Sequence, residues 1–360
     1  MRLGIIGLPQ SGKTTVFNAL TRGNRPTTTS GGRFEVQTAV VQVPDERVDR
    51  LSAIFRPRKT IYAQVTYADI AGLEAEAAKT GFSGPLLNQL AGMDGFLHVV
   101  RAFENQAVPH PAGSIDFKRD ITTVDGELLL NDMLAVERKL QRLHEDTTKG
   151  IIKDKGLHAQ ETAVFAKLQA ALSAEKPLRD VELTPGEEKL LSSDGLLTRK
   201  PMLVVLNLGD DQAEPPAPAY PHARSAVVML RGKLEMDIAQ LAPEEAAEFL
   251  KEYGIAEASL HRMIRLSYDL LGLQSFFTVG EDEVRAWTVR RGATAPEAAG
   301  EVHTDLQKGF IRAETYHYDD LMALGNVHEL KAKGKLRLEG KDYVVADGDI
   351  LNIRFSPPAK

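Results

Sequence analysis

At 360 residues the chain is too long for one ordinary domain, and two or three are expected. A composition of 43% apolar and 26% charged residues, with no run of 18 apolar residues, excludes a disordered chain and a helical membrane span. A net charge of −6 confines any contact with RNA to a local basic patch, and the absence of cysteine excludes disulfides, thiolate metal sites and cysteine nucleophiles.

Residues 3–6 read as a first strand, early enough that no signal peptide is expected before it. Directly after it, Gly7-Leu8-Pro9-Gln10-Ser11-Gly12-Lys13-Thr14 spells G-x-x-x-x-G-K-T, and residues 15–20 read as the start of a helix. In that setting the glycines turn backbone N–H groups toward a polyphosphate at a helix N-terminus, where the dipole already favours negative charge. Pro9, Gln10, Ser11, Gly12, Lys13, Thr14 and Thr15 are therefore the expected nucleotide-binding residues. Lys13 is expected to reach the β- and γ-phosphates, and Thr14 to ligate Mg²⁺.

Strand candidates at 36–43, 61–67 and 96–100 alternate with helical segments to about residue 104, which predicts a doubly wound α/β sheet. Asp69-Ile70-Ala71-Gly72 stands at the carboxyl end of one of these strands, the end that faces ligand in such a sheet. There Asp69 can hold Mg²⁺ and the Gly72 N–H can meet the γ-phosphate.

The next stretch is helical. Leu129, Met133, Val136, Leu140 and Leu143 recur at coiled-coil spacing, and Val164, Leu168 and Ala171 continue the seam beyond a turn near Lys149-Gly150. Thr184-Pro185-Gly186-Glu187 is a capping box with proline at the first helical position. An antiparallel helical hairpin is expected, either a solvated spacer or a partner-binding arm.

Residues 202–206 and 227–230 return to buried-strand character. Asn207-Leu208-Gly209-Asp210 stands where a base-reading N-K-x-D belongs, with leucine in the lysine position; the same residues also spell a strand-ending turn. Arg231 and Gly232, followed by Lys233, end the next strand, where a base-supporting loop would sit. From residue 275 the texture changes to short strands at 276–279, 284–289, 310–316, 343–345 and 350–355 with a helix around 295–308, a small α+β domain. His98 reads as a satisfied core histidine and Trp287 as a packing residue.

Residues 7–20, Val43-Pro44-Asp45-Glu46-Arg47, Asp69-Ile70-Ala71-Gly72-Leu73 and His98-Val99-Val100-Arg101-Ala102-Phe103-Glu104-Asn105 resemble the YchF/Obg-like ATPase family, an Obg-related branch of P-loop NTPases. Phe276-Phe277-Thr278-Val279-Gly280, Glu283-Val284-Arg285-Ala286-Trp287-Thr288 and Lys308-Gly309-Phe310-Ile311-Arg312-Ala313-Glu314 are similar to that family's TGS domain, a β-grasp module. The resemblance implies a P-loop NTPase domain at 1–124 and 201–274, an inserted helical coiled coil at 125–200 and a TGS-like β-grasp domain at 275–360. It also implies a cytoplasmic, ribosome-associated ATPase that uses Mg²⁺, with the ribosome or ribosomal RNA as partner and no membrane or DNA specificity.

Several positions depart from the family pattern. Gln10 replaces the usual asparagine, Arg33 aligns with the switch I threonine (with Thr27, Thr28, Thr29 and Ser30 close by), and Asp210 replaces a glutamate. Residues 74–79 lack the usual glycines, so the chain resembles a diverged paralogue. Leu73 follows D-x-x-G where relatives of Ras place a water-orienting glutamine, and the YchF/Obg-like family also carries a hydrophobic residue there. Phosphoryl transfer depends on positioning, so Lys13 with Leu73 at the catalytic position predicts slow hydrolysis.

The expected function is a slow ATP-driven switch; the alternative is a non-hydrolysing nucleotide-binding module that docks on a ribosome or protein. ATP is expected over GTP. That preference requires Asp210 to turn from the base while Asn207 and the 231–233 backbone read the adenine amino group.

Overall fold

The computed structural model describes residues 1–23, 36–70, 82–252 and 259–356. The chain divides into two compact units, one of residues 1–40 and 66–263, the other of residues 41–65 and 264–360. The first seven strands are β1 (Arg2–Ile6), β2 (Val36–Gln42), β3 (Lys59–Ile61), β4 (Gln64–Ile70), β5 (Gly95–Arg101), β6 (Met202–Asn207) and β7 (Ser225–Leu230). Six of them form one sheet in the order β2–β4–β1–β5–β6–β7, and β4, β1, β5, β6 and β7 run parallel to their neighbours.

Every residue of β5 and β6 is buried, as expected for parallel strands covered on both faces. The accompanying helices are α1 (Lys13–Thr21), α2 (Glu46–Phe55), α3 (Gly84–Ala91), α4 (Phe117–Lys149), α5 (Lys155–Ser173), α6 (Pro185–Leu190), α7 (Gly232–Ala239), α8 (Pro243–Glu252) and α9 (Ser259–Leu270). On one face of the sheet Ile6, Phe96, Val100 and Val204 pack with Leu86 and Leu90 of α3 and with Ile121, Val124 and Leu128 of α4. Full burial of each such side chain is worth about 1.5–3 kcal/mol. The doubly wound α/β reading is therefore the fold observed.

The helical hairpin is present and antiparallel. Leu143 O meets His158 Nε2 at 3.1 Å, and farther from the turn Lys139 Nζ donates to Glu161 at 3.0 Å, so one helix ascends as the other descends. Asp116 starts α4 by accepting the N–H groups of Lys118 and Arg119, and Gly150 ends it in the left-handed region at φ 69°. Val136, Val164, Phe165, Leu168 and Leu172 fill the seam. The capping box of Thr184 and Glu187 forms at the start of α6. At the root, buried Asp132 accepts the N–H groups of Leu197 and Thr198, both at 2.7 Å. There too Lys200 Nζ donates to the carbonyls of Leu90, Ala91 and Met93 and closes the C-terminus of α3.

The second unit carries β8 (Leu273–Val279), β9 (Glu283–Arg290), β10 (Phe310–His317), β11 (Arg337–Glu339) and β12 (Asp349–Phe355), with α10 (Ala295–Val302), α11 (Thr304–Lys308), α12 (Tyr318–Leu324) and α13 (Val327–Ala332). Its sheet runs β11–β10–β12–β8–β9–β3. Small residues Ala295, Ala298 and Ala299 let α10 sit close on Phe276, Val289 and Leu351. Trp287 packs as expected, stacked on Phe276 with Arg285 3.8 Å above its ring.

Three expectations change. The strand read at 61–67 is two strands in two sheets: β3 pairs with β9, while β4 pairs with β1. Between them Ala63 O accepts the Val43 N–H at 2.8 Å, so residues 41–65 belong with the C-terminal unit and not with residues 1–124. The strand read at 343–345 is a single bridge between Thr294 and Val344, because Tyr343 and Val345 bond to the turn before α10; the edge strand is β11. The helix read at 295–308 breaks at His303, which is extended and caps α11 by accepting the Asp305 N–H. Among the described residues no helix is long and apolar enough to cross a membrane.

Candidate nucleotide site

The loop from β1 into α1 has the backbone that its glycines permit. Gly7 has φ 149°, and a Cβ there would lie 2.2 Å from Val99 O. Gly12 has φ 94°, and a Cβ there would lie 2.1 Å from Asn207 Nδ2. Neither site accepts a side chain. Gln10 also takes a left-handed conformation, φ 60°, which asparagine tolerates better than glutamine.

The sequence-derived residues cluster here. Pro9, Gln10, Gly12, Thr14 and Thr15 are half-buried, and Ser11 and Lys13 are buried. Lys13 Nζ donates to the carbonyls of Gly7 (3.0 Å) and Leu8 (2.9 Å), which holds the ammonium inside the loop. Thr14 Oγ1 donates to Asp69 Oδ2 at 3.2 Å, joining the P-loop to the end of β4. Gly72 and Leu73 lie outside the described residues, as do residues 27–30, Arg33 and residues 74–79.

Asn207, at the end of β6, reaches the P-loop. Its Nδ2 donates to Ser11 O at 3.0 Å and its Oδ1 accepts the Gly232 N–H at 3.0 Å. The amide is buried and ties the two loops together through one of its N–H groups and its oxygen, which leaves its second N–H for a ligand. Leu208 is also buried, its N–H paired with Leu230 O at 2.8 Å. Asp210 is exposed, and half-buried Arg231 donates to Gln212 O at 3.1 Å.

Behind the loop, sequence reasoning missed a polar layer. Arg101 is buried, stacks on Phe103 at 4.5 Å and donates to the carbonyls of Phe103 and Val108. His110 Nδ1 accepts the Ala112 N–H, so its Nε2 carries the proton donated to buried Asp120 at 2.9 Å. The one sequence signal was a charged residue inside the apolar run of β5.

His98 is core, as expected, but not satisfied: neither ring nitrogen has a hydrogen-bond partner. Burial, helped by the charges of Lys13 and Arg179, pushes its imidazole down to about 3.

Two family models match. Residues 2–139 match one described as a 50S ribosome-binding GTPase, and residues 273–356 match one for the YchF GTPase C-terminal region, described as a protein of unknown function. The Ribosome-binding ATPase YchF of Bacillus subtilis (strain 168) is 40% identical over 98% of this chain and 98% of its own length. Obg-like ATPase 1 of Rattus norvegicus is 34% identical over 99% of this chain and 93% of its own length. The solved structure of the Schizosaccharomyces pombe YchF GTPase matches with a TM-score of 0.83 at 31% identity, covering 98% of this chain and 97% of that one. With a P-loop formed at the head of such a sheet, the chain is a P-loop NTPase and belongs to the YchF family.

Proposed function

We propose that this chain binds ATP with Mg²⁺, hydrolyses it slowly, and works as a nucleotide-dependent switch associated with the ribosome in the cytoplasm. The observation that carries the reading is the 3.2 Å bond between Thr14 Oγ1 and Asp69 Oδ2 at the mouth of the P-loop. A hydroxyl and a carboxylate are hard oxygen donors of the kind Mg²⁺ prefers. No group of three or more His, Cys, Asp or Glu side chains suited to a metal occurs among the described residues. Thr14 and Asp69 would therefore hold the ion, with substrate phosphate and water as the remaining ligands. Residues 9–15 would cradle the phosphates, Lys13 supplying the charge and Gly72 a backbone N–H.

ATP is favoured over GTP by the buried apolar Leu208 in the lysine position and by exposed Asp210, which is not held toward a base. The descriptions of the Bacillus subtilis and rat relatives as ATPases support the same choice. The helical hairpin of residues 125–200 and a TGS-like β-grasp module of residues 275–360 would supply the ribosome-facing surfaces. The ribosome enters through the description of the Bacillus subtilis relative as ribosome-binding.

Calorimetric titration of ATP and GTP side by side with Mg²⁺ tests the nucleotide, and single-turnover hydrolysis with and without ribosomes tests the switch. GTP binding about tenfold tighter than ATP, equivalent to about 1.4 kcal/mol, reverses the assignment. Nucleotide binding with no Mg²⁺-dependent cleavage favours a binding module over a switch.

A further inference from the structure

We propose that Gln212 is a positioning residue for base recognition, fixing the loop after β6 so that Leu208, Gly209 and Asp210 keep one arrangement beside the P-loop. The inference rests on the nucleotide site proposed above. Gln212 Oε1 accepts the Gly209 N–H at 3.0 Å, and its own N–H donates to Gly209 O at 3.2 Å. Its carbonyl accepts Arg231 Nη2 at 3.1 Å, and Arg231 also pairs with Glu214 at 3.5 Å. One half-buried glutamine thus closes the turn after Asn207-Leu208 on itself and fastens it to the loop after β7.

The residues beyond it, Ala213-Glu214-Pro215-Pro216-Ala217-Pro218, form neither helix nor strand. Such a segment does not order the turn by its own secondary structure, and each residue that must be ordered on binding costs conformational entropy. Gly209 stands close to the P-loop side of the site: a Cβ on it would lie 3.8 Å from Phe103 Cβ, and one on Gly12 would lie 3.9 Å from Phe103 Cε1. Disorder in this turn therefore disturbs the place where a base would extend from the phosphates. The phosphate loop itself is held separately, through Asn207 to Ser11 and Lys13 to Gly7 and Leu8. Loss of Gln212 is charged against the base and not against the phosphates.

The test is titration of the full chain, with Mg²⁺, against ADP, ATP and inorganic tripolyphosphate. Gln212→Ala is expected to weaken ADP and ATP about five- to tenfold, the scale of one lost preorganising hydrogen bond, with tripolyphosphate affinity unchanged. Gln212→Glu keeps an acceptor for the Gly209 N–H and is expected to restore wild-type ADP and ATP affinity. Unaltered ADP binding in Gln212→Ala, equal loss of tripolyphosphate, or failure of Gln212→Glu to restore binding each overturns the proposal. A wild-type chain that binds tripolyphosphate but neither ADP nor ATP overturns the nucleotide reading and this inference with it.

Discussion

Asn207 Nδ2 donates to the carbonyl of Ser11 at 3.0 Å, across 196 positions of sequence. Its Oδ1 accepts the Gly232 N–H, and a Cβ at Gly232 would lie 2.7 Å from that oxygen. One buried carboxamide therefore fastens the P-loop, the end of β6 and the start of α7 together. This tie was not visible in the sequence pattern, which marked the residue only as a base reader.

Asn207→Ala leaves a buried N–H on Gly232 and a buried carbonyl on Ser11 without their partner. Each unsatisfied group costs about 1–3 kcal/mol. A loss of about 2 kcal/mol or more in urea unfolding is expected, together with weaker Mg²⁺–ATP binding. A variant as stable as wild type, with intact nucleotide affinity, contradicts the tie.

Lys13→Ala is expected to abolish triphosphate binding with the fold preserved. The ammonium is buried in the loop and bonds to the Gly7 and Leu8 carbonyls of that loop, outside the hydrogen-bond ladder of the sheet. A charge-assisted contact is worth about 1.5–3 kcal/mol, and Lys13 is the only charged side chain in the motif. Calorimetry with circular dichroism checks both halves; a folded variant that still binds ATP normally sinks the assignment.

Hydrolysis without a partner is expected to be slow, and Leu73→Gln is not expected to make it fast. Leucine offers no group to orient water, and the sequence reading puts arginine, at position 33, where a switch I threonine is expected. Parts that act as a unit are not repaired one at a time. Multiple turnovers per second by the isolated wild-type chain would falsify the slow-switch reading.

His98 gives the protein a pH-dependent liability. Its folded imidazole stays neutral down to about pH 3, whereas the unfolded one takes a proton near 6.5. Between these values the unfolded state binds more protons, so stability rises with pH and is lost as pH falls from 6.5 toward 3. The expected loss from this residue is about 2 kcal/mol between pH 7 and pH 5. His98→Leu should remove that share of the slope and spare the cost of an unsatisfied buried ring. Denaturation curves at both pH values for the two proteins decide it; parallel losses refute it.

The sequence alone determined the P-loop, the α/β class and the helical hairpin, and it marked Asp69, which bonds to Thr14 of that loop. Each of these is local. G-x-x-x-x-G-K-T needs only its own glycines and the flanking strand and helix. The seam from Leu129 to Leu143 needs only heptad spacing, and the α6 cap needs only Thr184 and Glu187.

Tertiary structure decided what depends on pairing between distant residues. Residues 61–67 look like one strand, yet β3 bonds to β9 and β4 to β1, because the partners lie far along the chain in opposite directions. The spacing of Asn207 after β6 marks it as a base reader but does not show that its amide also serves the Ser11 carbonyl, 196 positions away. His98 looked satisfied because most buried histidines are, and no spacing rule shows which polar groups meet behind the P-loop. Local propensity fixes elements, whereas the partners of a buried hydrogen-bonding group are fixed only when the sheet order brings them together.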